Sequence, residues 1–196
     1  MDEQEQQAEN ERQAQIRRDL LAPPQRETVM SAGRSGGAFA ERPARSYVTG
    51  RWTQRFRIAA VALTAGAVLL TLVRLPFLPE TIPVHFNGLG EPDEWGSKYS
   101  ILMLALVASV MTGGMAWLSH HPRIYNYLRE ITEENAQRQY RVGEQLMVAV
   151  TVSVSLIFSG ILITTATSVN VIFFVIPGIV IMLGALVWGI SRLSRA

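Results

Sequence analysis

The sequence predicts an all-α integral membrane protein: a four-transmembrane-helix bundle with a structured extracytoplasmic loop and a disordered N-terminal tail. Two observations support this fold class. Of the 196 residues, 48% are hydrophobic, and the charged 17% are concentrated near the N-terminus, in two interior loops and in the last few residues. The uncharged stretches between them are about 20 residues long, which is the helix length that crosses the hydrocarbon core of a bilayer.

The N-terminal part of the chain, residues 1–57, is predicted to be a disordered cytoplasmic tail. It is rich in Gln, Glu, Arg, Gly and Ser. Segments with so few bulky apolar side chains cannot bury enough surface to offset the entropy lost on folding.

Four apolar runs follow the tail, and each is predicted to be a transmembrane helix. Their approximate bounds are Ile58–Leu78, Tyr99–Leu118, Leu146–Thr167 and Val171–Ile190. Small residues recur at every fourth position on the second and third helices, which favours close helix packing over a polar path through the bundle. These stripes are Ala105, Ser109 and Gly113, and Thr151, Ser155 and Ser159.

The distribution of arginine predicts the orientation of the helices. Basic residues precede the first helix, lie between the second and third, and follow the fourth. Because cytoplasmic flanks carry the excess of Lys and Arg, both termini are expected in the cytoplasm of a bacterium, with the protein in its inner membrane. The segment 58–98 then comprises the first helix and an external loop. The segment 99–196 holds three further helices and a cytoplasmic loop at about 119–145.

The external loop contains the most distinctive motif in the chain. Residues 82–86 alternate between apolar and polar, as in a short extended segment, and the following residues, 87–90, are typical of a turn. We expect the loop to be either a ligand-binding surface or a structural cap on the bundle. Its candidate residues are Pro79, Pro83, His85, Asn87, Gly90, Pro92, Asp93, Trp95, Gly96 and Lys98.

Several classes of function are disfavoured by the residues present. The chain has no cysteine, and the loop lacks both the standard zinc spacing and the regular oxygen positions of a calcium loop. No serine lies in a recognised hydrolase motif. The arginines form no nucleic-acid-binding face. We therefore expect no catalytic residue, cofactor, metal or nucleic-acid partner.

The loop motif resembles a known family. The run from Leu78 to Lys98 is similar to the characteristic sequence of a bacterial membrane-protein family named only as domain of unknown function number 1648. Relatives with this domain include the SdpI-like immunity proteins, which protect a bacterium from its own secreted peptide toxin and can hold a repressor at the membrane. The resemblance implies an immunity or signalling role, although this chain is too short for a complete second module of the SdpI type.

The loop at 119–145 is predicted to be an amphipathic helix on the membrane surface, or else a docking face for a cytoplasmic regulator. Taken together, the sequence favours a noncatalytic multispanning protein, with the lipid bilayer as its surroundings and a peptide or envelope component bound outside. The alternative is an accessory subunit of a membrane complex or a small transporter. An enzymatic role for His85 is the least favoured interpretation.

Overall fold

The computed structural model of the protein describes residues 42–167 and 169–194. Four α-helices and one β-hairpin account for most of this part, and short 3-10 turns follow the first and second helices. The elements, in chain order, are α1 (Arg51–Arg74), β1 (Thr81–Phe86), β2 (Pro92–Ser97), α2 (Ser100–Leu118), α3 (Ala136–Thr167) and α4 (Ile172–Leu193).

The four helices confirm the predicted fold class, because each is long and apolar enough to cross a membrane. Their bounds differ from the predicted ones mainly at two N-terminal ends. Helix α1 begins at Arg51 and α3 at Ala136, whereas the apolar runs begin at Ile58 and Leu146. Hydropathy locates the apolar part of a helix, but here the helical backbone continues through polar residues whose side chains bond to neighbouring elements.

The prediction of a disordered tail is wrong for residues 42–57, whereas residues 1–41 lie outside the described part. Residues 42–50, here called the N-terminal strap, run without regular structure along the first turns of α3. The amide of Ser46 donates to Gln137 Oε1 at 2.8 Å, and Gln137 Nε2 donates to the carbonyl of Ala44 at 2.7 Å. These hydrogen bonds to Gln137 on α3 therefore hold the N-terminal strap in place, although its amino-acid composition predicts disorder.

The predicted surface helix in the 119–145 loop is also wrong. Residues 122–124 form a 3-10 turn, residues 125–135 contain no helix, and α3 then starts within the predicted loop. The helix starts here because Thr132 and Asn135 form a reciprocal cap: the amide of Thr132 donates to Asn135 Oδ1 at 3.0 Å, and the amide of Asn135 donates to Thr132 Oγ1 at 3.4 Å. Such a pair satisfies amides that have no partner within the helix.

Helix α3 packs against each of the other three helices. Its predicted stripe, Thr151, Ser155 and Ser159, is fully buried. On α2 the predicted stripe is only partly correct, because Ala105 is buried whereas Ser109 and Gly113 are exposed. A strict four-residue spacing drifts around a helix of 3.6 residues per turn. The buried face of α2 therefore combines steps of four with one step of three: Ile101, Ala105, Ala108, Thr112 and Ala116.

The loop between α1 and α2 is an antiparallel two-stranded hairpin rather than a single extended segment. Thr81 pairs with Ser97, and an irregularity in the register follows Pro83. Ile82 on β1 is 2% exposed and packs in the same apolar cluster as Ile101 and Leu162. This side chain anchors the hairpin to the end of the helical bundle.

Candidate functional site

A cleft of about 540 Å³ lies between the hairpin and the adjacent ends of α1 and α3, and it is here called the hairpin cleft. Its hairpin wall consists mainly of rigid or aromatic side chains. Five of the ten loop residues singled out in the sequence line this cleft: Pro79, Pro83, Gly90, Pro92 and Trp95. The sequence motif thus contributes half of its members to one concave surface.

The other five loop residues shape or brace the hairpin instead of lining the cleft. His85 and Asp93 face each other across the strands, with Nδ1 2.6 Å from Oδ1, and both side chains are exposed. Gly96 lies against Val84, where an added Cβ would approach within 2.9 Å of the valine side chain. Lys98 and Asn87 have bracing contacts of their own at the base and the tip of the hairpin.

Asn87 organises the turn that joins the two strands. Its side-chain oxygen accepts hydrogen bonds from the amides of Leu89 at 2.9 Å and Glu91 at 3.0 Å. Gly90 has a φ of 76°, and a Cβ built there would lie 2.6 Å from Asn170 Oδ1. Glycine is needed at this position because it tolerates a positive φ and leaves room for the loop before α4.

Lys98 pairs with Glu80 at the base of the hairpin, with Nζ 2.9 Å from Oε1. The hydrogen bond from Lys98 to Glu80 raises the pKa of the lysine, although Glu80 is largely exposed to solvent. The amide of Lys98 also donates to the carbonyl of Glu80 at 3.0 Å. These contacts close the hairpin where it meets the two helices.

The helical wall of the hairpin cleft includes four polar residues outside the loop motif: Arg74, Thr164, Thr165 and Thr167. Arg74, at the end of α1, donates from Nε to the carbonyl of Ala166 at 3.2 Å. Thr164 on α3 is 8% exposed, and its hydroxyl is buried without a hydrogen-bond partner in the described part of the chain. The cleft therefore combines a largely apolar hairpin wall with a helical wall that carries a cation. Arg74 suits recognition of a carboxylate or carbonyl oxygen.

A second group of polar side chains lies near the other end of the bundle and is here called the glutamate cluster: Arg45, Tyr47, Thr49, Arg57 and Glu144. The Glu144 side chain is only 2% exposed, and its Oε1 lies 2.5 Å from Arg57 and accepts from Thr49 at 2.8 Å. Its Oε2 accepts from Tyr47 at 2.8 Å and lies 3.3 Å from Arg45. One carboxylate thereby joins the N-terminal strap, α1 and α3.

The pKa values of two groups at this cluster are shifted: that of Tyr47, which belongs to the cluster, and that of His120, which contacts it. Burial, followed by the hydrogen bond to Glu144, raises the pKa of the Tyr47 phenol far above its ordinary value. Burial and the positive charge of Arg57 lower the pKa of His120, whose Nε2 lies 2.9 Å from Arg57 Nη1. Tyr47 is thus an uncharged donor at neutral pH, and His120 is held toward its neutral form.

Sequence reasoning missed the glutamate cluster because it assigned Glu144 and Arg57 to solvated flanks. The available signal was a lone acidic residue bordering the third apolar run. Helix α3 continues through that position, so the residue lies inside the packed bundle.

As for metal binding, no group of three or more acidic, His or Cys side chains within residues 42–167 and 169–194 is placed to hold an ion.

Comparison with known proteins adds a family match over the first two helices and the hairpin. Residues 62–108 match the family model described as Domain of unknown function (DUF1648). This match agrees with the resemblance found in the loop motif. The DUF1648 segment includes the hairpin and the part of α1 that leads into the cleft.

An uncharacterized protein of Archaeoglobus fulgidus is 42% identical to the chain over 62 residues. The alignment spans 32% of this chain and 32% of that relative. No solved structure matches the chain. The chain thus matches about a third of that relative's length, and the names of the matches state no activity.

Proposed function

We propose that this multi-pass protein is noncatalytic and binds a peptide or another envelope component in the hairpin cleft. The observation that carries the proposal is the composition of the cleft wall, in which motif prolines and Trp95 lie opposite Arg74. A volume of about 540 Å³ falls in the range of about 300–1,000 Å³ typical of ligand pockets.

The shape and chemistry of the cleft favour an extended ligand. Proline and aromatic side chains form the walls of grooves that receive extended peptides, because flat, rigid surfaces complement a chain without internal hydrogen bonds. Arg74 adds donors for a carboxylate or a backbone carbonyl of such a ligand. Glu91 also lines the cleft, so a ligand with both an anionic and a cationic group suits it best.

The more specific form of the proposal is immunity to, or signalling of, a secreted peptide. It is motivated by the resemblance of the loop motif to SdpI-like proteins, together with the DUF1648 match at residues 62–108. It requires the hairpin to face outward, with both termini in the cytoplasm, as the arginine distribution predicts. A reporter fused to the C-terminus and read out on each side of the membrane tests this orientation.

Binding is tested with a matched pair of hairpin variants. Trp95 lines the cleft, whereas Leu89 is a similarly exposed apolar residue at the hairpin tip outside it. Cells producing the parent, Trp95→Ala or Leu89→Ala, at equal membrane levels, are challenged with secreted peptide toxins, and binding of the same peptides to purified protein is measured. Protection and binding lost in Trp95→Ala but retained in Leu89→Ala support the proposal; equal behaviour of the three proteins contradicts it.

A small transporter is the competing function, and one feature of the bundle bears on it. The hydroxyl of Thr64 lies 3.1 Å from that of Thr112 and 2.9 Å from that of Ser155. Such a group of hydroxyls could line a path, but here they bond to one another across three helices. Substrate flux that depends on Ser155 and is unaffected by Trp95→Ala would favour transport over binding.

A further inference from the structure

A second concave surface lies between α1 and α2, at the end of these helices away from the hairpin. It has a volume of about 390 Å³ and is here called the arginine groove. Ile58, Val61 and Ala62 of α1 form one side, and Trp117 of α2 contributes to the other. Ile58 and Trp117 are 59% and 60% exposed, so the groove opens outward on helices that are apolar enough to span a membrane.

The polar end of this groove is formed by Arg57 and His120. Arg57 Nη1 lies 2.9 Å from one ring nitrogen of His120 and 3.2 Å from the other. With both ring nitrogens close to the same guanidinium nitrogen, His120 lies against the cation and completes the polar end of the groove.

The charge at this end of the bundle is positive. Within the glutamate cluster, the two guanidinium groups of Arg45 and Arg57 face one carboxylate, which leaves one net positive charge. Arg51 and Arg55 are exposed on α1, and among the described residues neither forms an ion pair. They precede Ile58 at spacings of seven and three residues, which places them on the same helix face as the groove.

These features fit a ligand with a long apolar part and an anionic head. We propose that the arginine groove binds a phospholipid with an anionic headgroup, its acyl chain lying along Ile58 and Ala62 and its headgroup at Arg55 and His120. At membrane depth the outward-facing side of two spanning helices meets lipid chains, and basic side chains at the end of such a groove attract anionic headgroups. A free phosphate would match only the polar end.

The proposal is tested on the full chain purified in detergent, with native mass spectrometry reading retained lipid. The probes are phosphatidylglycerol and phosphatidylcholine with identical acyl chains, and glycerol phosphate serves as a headgroup without a chain. Ala62→Phe fills the groove; Ala59→Phe places the same ring on an exposed position of α1 that is turned away from it. Arg55→Gln removes the exposed positive charge at the proposed headgroup position. Arg57 is left intact because Glu144 depends on it.

We expect the parent and Ala59→Phe to retain phosphatidylglycerol about fivefold better than phosphatidylcholine, since each basic residue near a headgroup contributes roughly that factor. Ala62→Phe should lose most of both lipids, and Arg55→Gln should lose the preference between them while keeping its unfolding midpoint. Equal retention of the two lipids by the parent, equal loss in the two phenylalanine variants, or displacement of the lipid by equimolar glycerol phosphate would each overturn the proposal.

Discussion

At one end of the bundle Glu144 is buried and contacted by two arginines, a tyrosine and a threonine. At the hairpin end the contacts of His85 and of Lys98 each include an exposed carboxylate, and the hydroxyl of Thr164 is buried without a partner among the described residues. The difference indicates two tasks. The first arrangement joins three segments of the chain, and the second braces a hairpin that forms one wall of a cleft.

The largest effect on stability is expected for Glu144→Ala, at the buried end of this comparison. Removing the carboxylate leaves Arg57 buried without its counter-ion, and breaking one side of a buried pair costs about 3–5 kcal/mol. The free energy of unfolding in mixed micelles should fall by that amount, and the strap should become sensitive to protease. Glu144→Gln keeps the shape and should lose less. If Glu144→Ala has the stability of the parent, the cluster does not hold the strap in place.

The hairpin end is tested by Gly90→Ala, which adds a side chain at a positive φ and close to Asn170. The backbone conformation alone costs a non-glycine residue about 1–2 kcal/mol, and displacement of the loop before α4 adds to that cost. Gly88→Ala is the control, because nothing lies within 4 Å of a Cβ there. Thermal unfolding should separate the two variants; equal midpoints would show that the hairpin does not dock as described.

Satisfied and unsatisfied hydroxyls should respond with opposite signs. Thr164→Val removes a buried hydroxyl without a partner and should stabilise the protein by about 1 kcal/mol, whereas Thr64→Val breaks contacts to Thr112 and Ser155 and should destabilise it by a similar amount. Chemical denaturation in micelles measures both. If Thr164→Val is destabilising, its hydroxyl has a partner, such as an ordered water, and the cleft is less open to a ligand than we infer.

The smallest effect is expected for Glu80→Ala at the base of the hairpin. Its carboxylate is 84% exposed, and exposed ion pairs are screened by water and salt. The unfolding midpoint should remain that of the parent at both low and high ionic strength. A loss of stability that persists at high ionic strength would place this pair in the same class as the Glu144 contacts, because buried pairs are screened much less by salt.

The helical architecture could be predicted from the sequence because the length and hydropathy of the four runs are local properties. The motif at 78–98 was also recognisable, but its division into cleft-lining and bracing residues depends on the hairpin register. Pro83 and His85 are two positions apart and would share a face in a regular strand, yet an irregularity follows Pro83. Pro83 lines the cleft, whereas His85 pairs with Asp93.

The partners of Glu144 could not be found by the same reasoning, because they come from distant parts of the chain. Tyr47 and Arg57 contact it across 97 and 87 positions of sequence. Residues 42–57 are assigned to a disordered tail from their amino-acid composition, which carries no information about tertiary contacts. In general, local pattern locates the elements here, whereas long-range contacts determine which polar residues are buried.

Helix α3 has one further mechanical consequence. It carries Glu144 near one end of the bundle and Thr164 in the wall of the hairpin cleft, 20 residues apart on an unbroken helix, which corresponds to about 30 Å. An unbroken helix tilts as a rigid body. A tilt about the middle of α3 that widens the cleft by about 1 Å would displace the Glu144 end by a comparable distance, so a movement of one end of α3 also moves the other end.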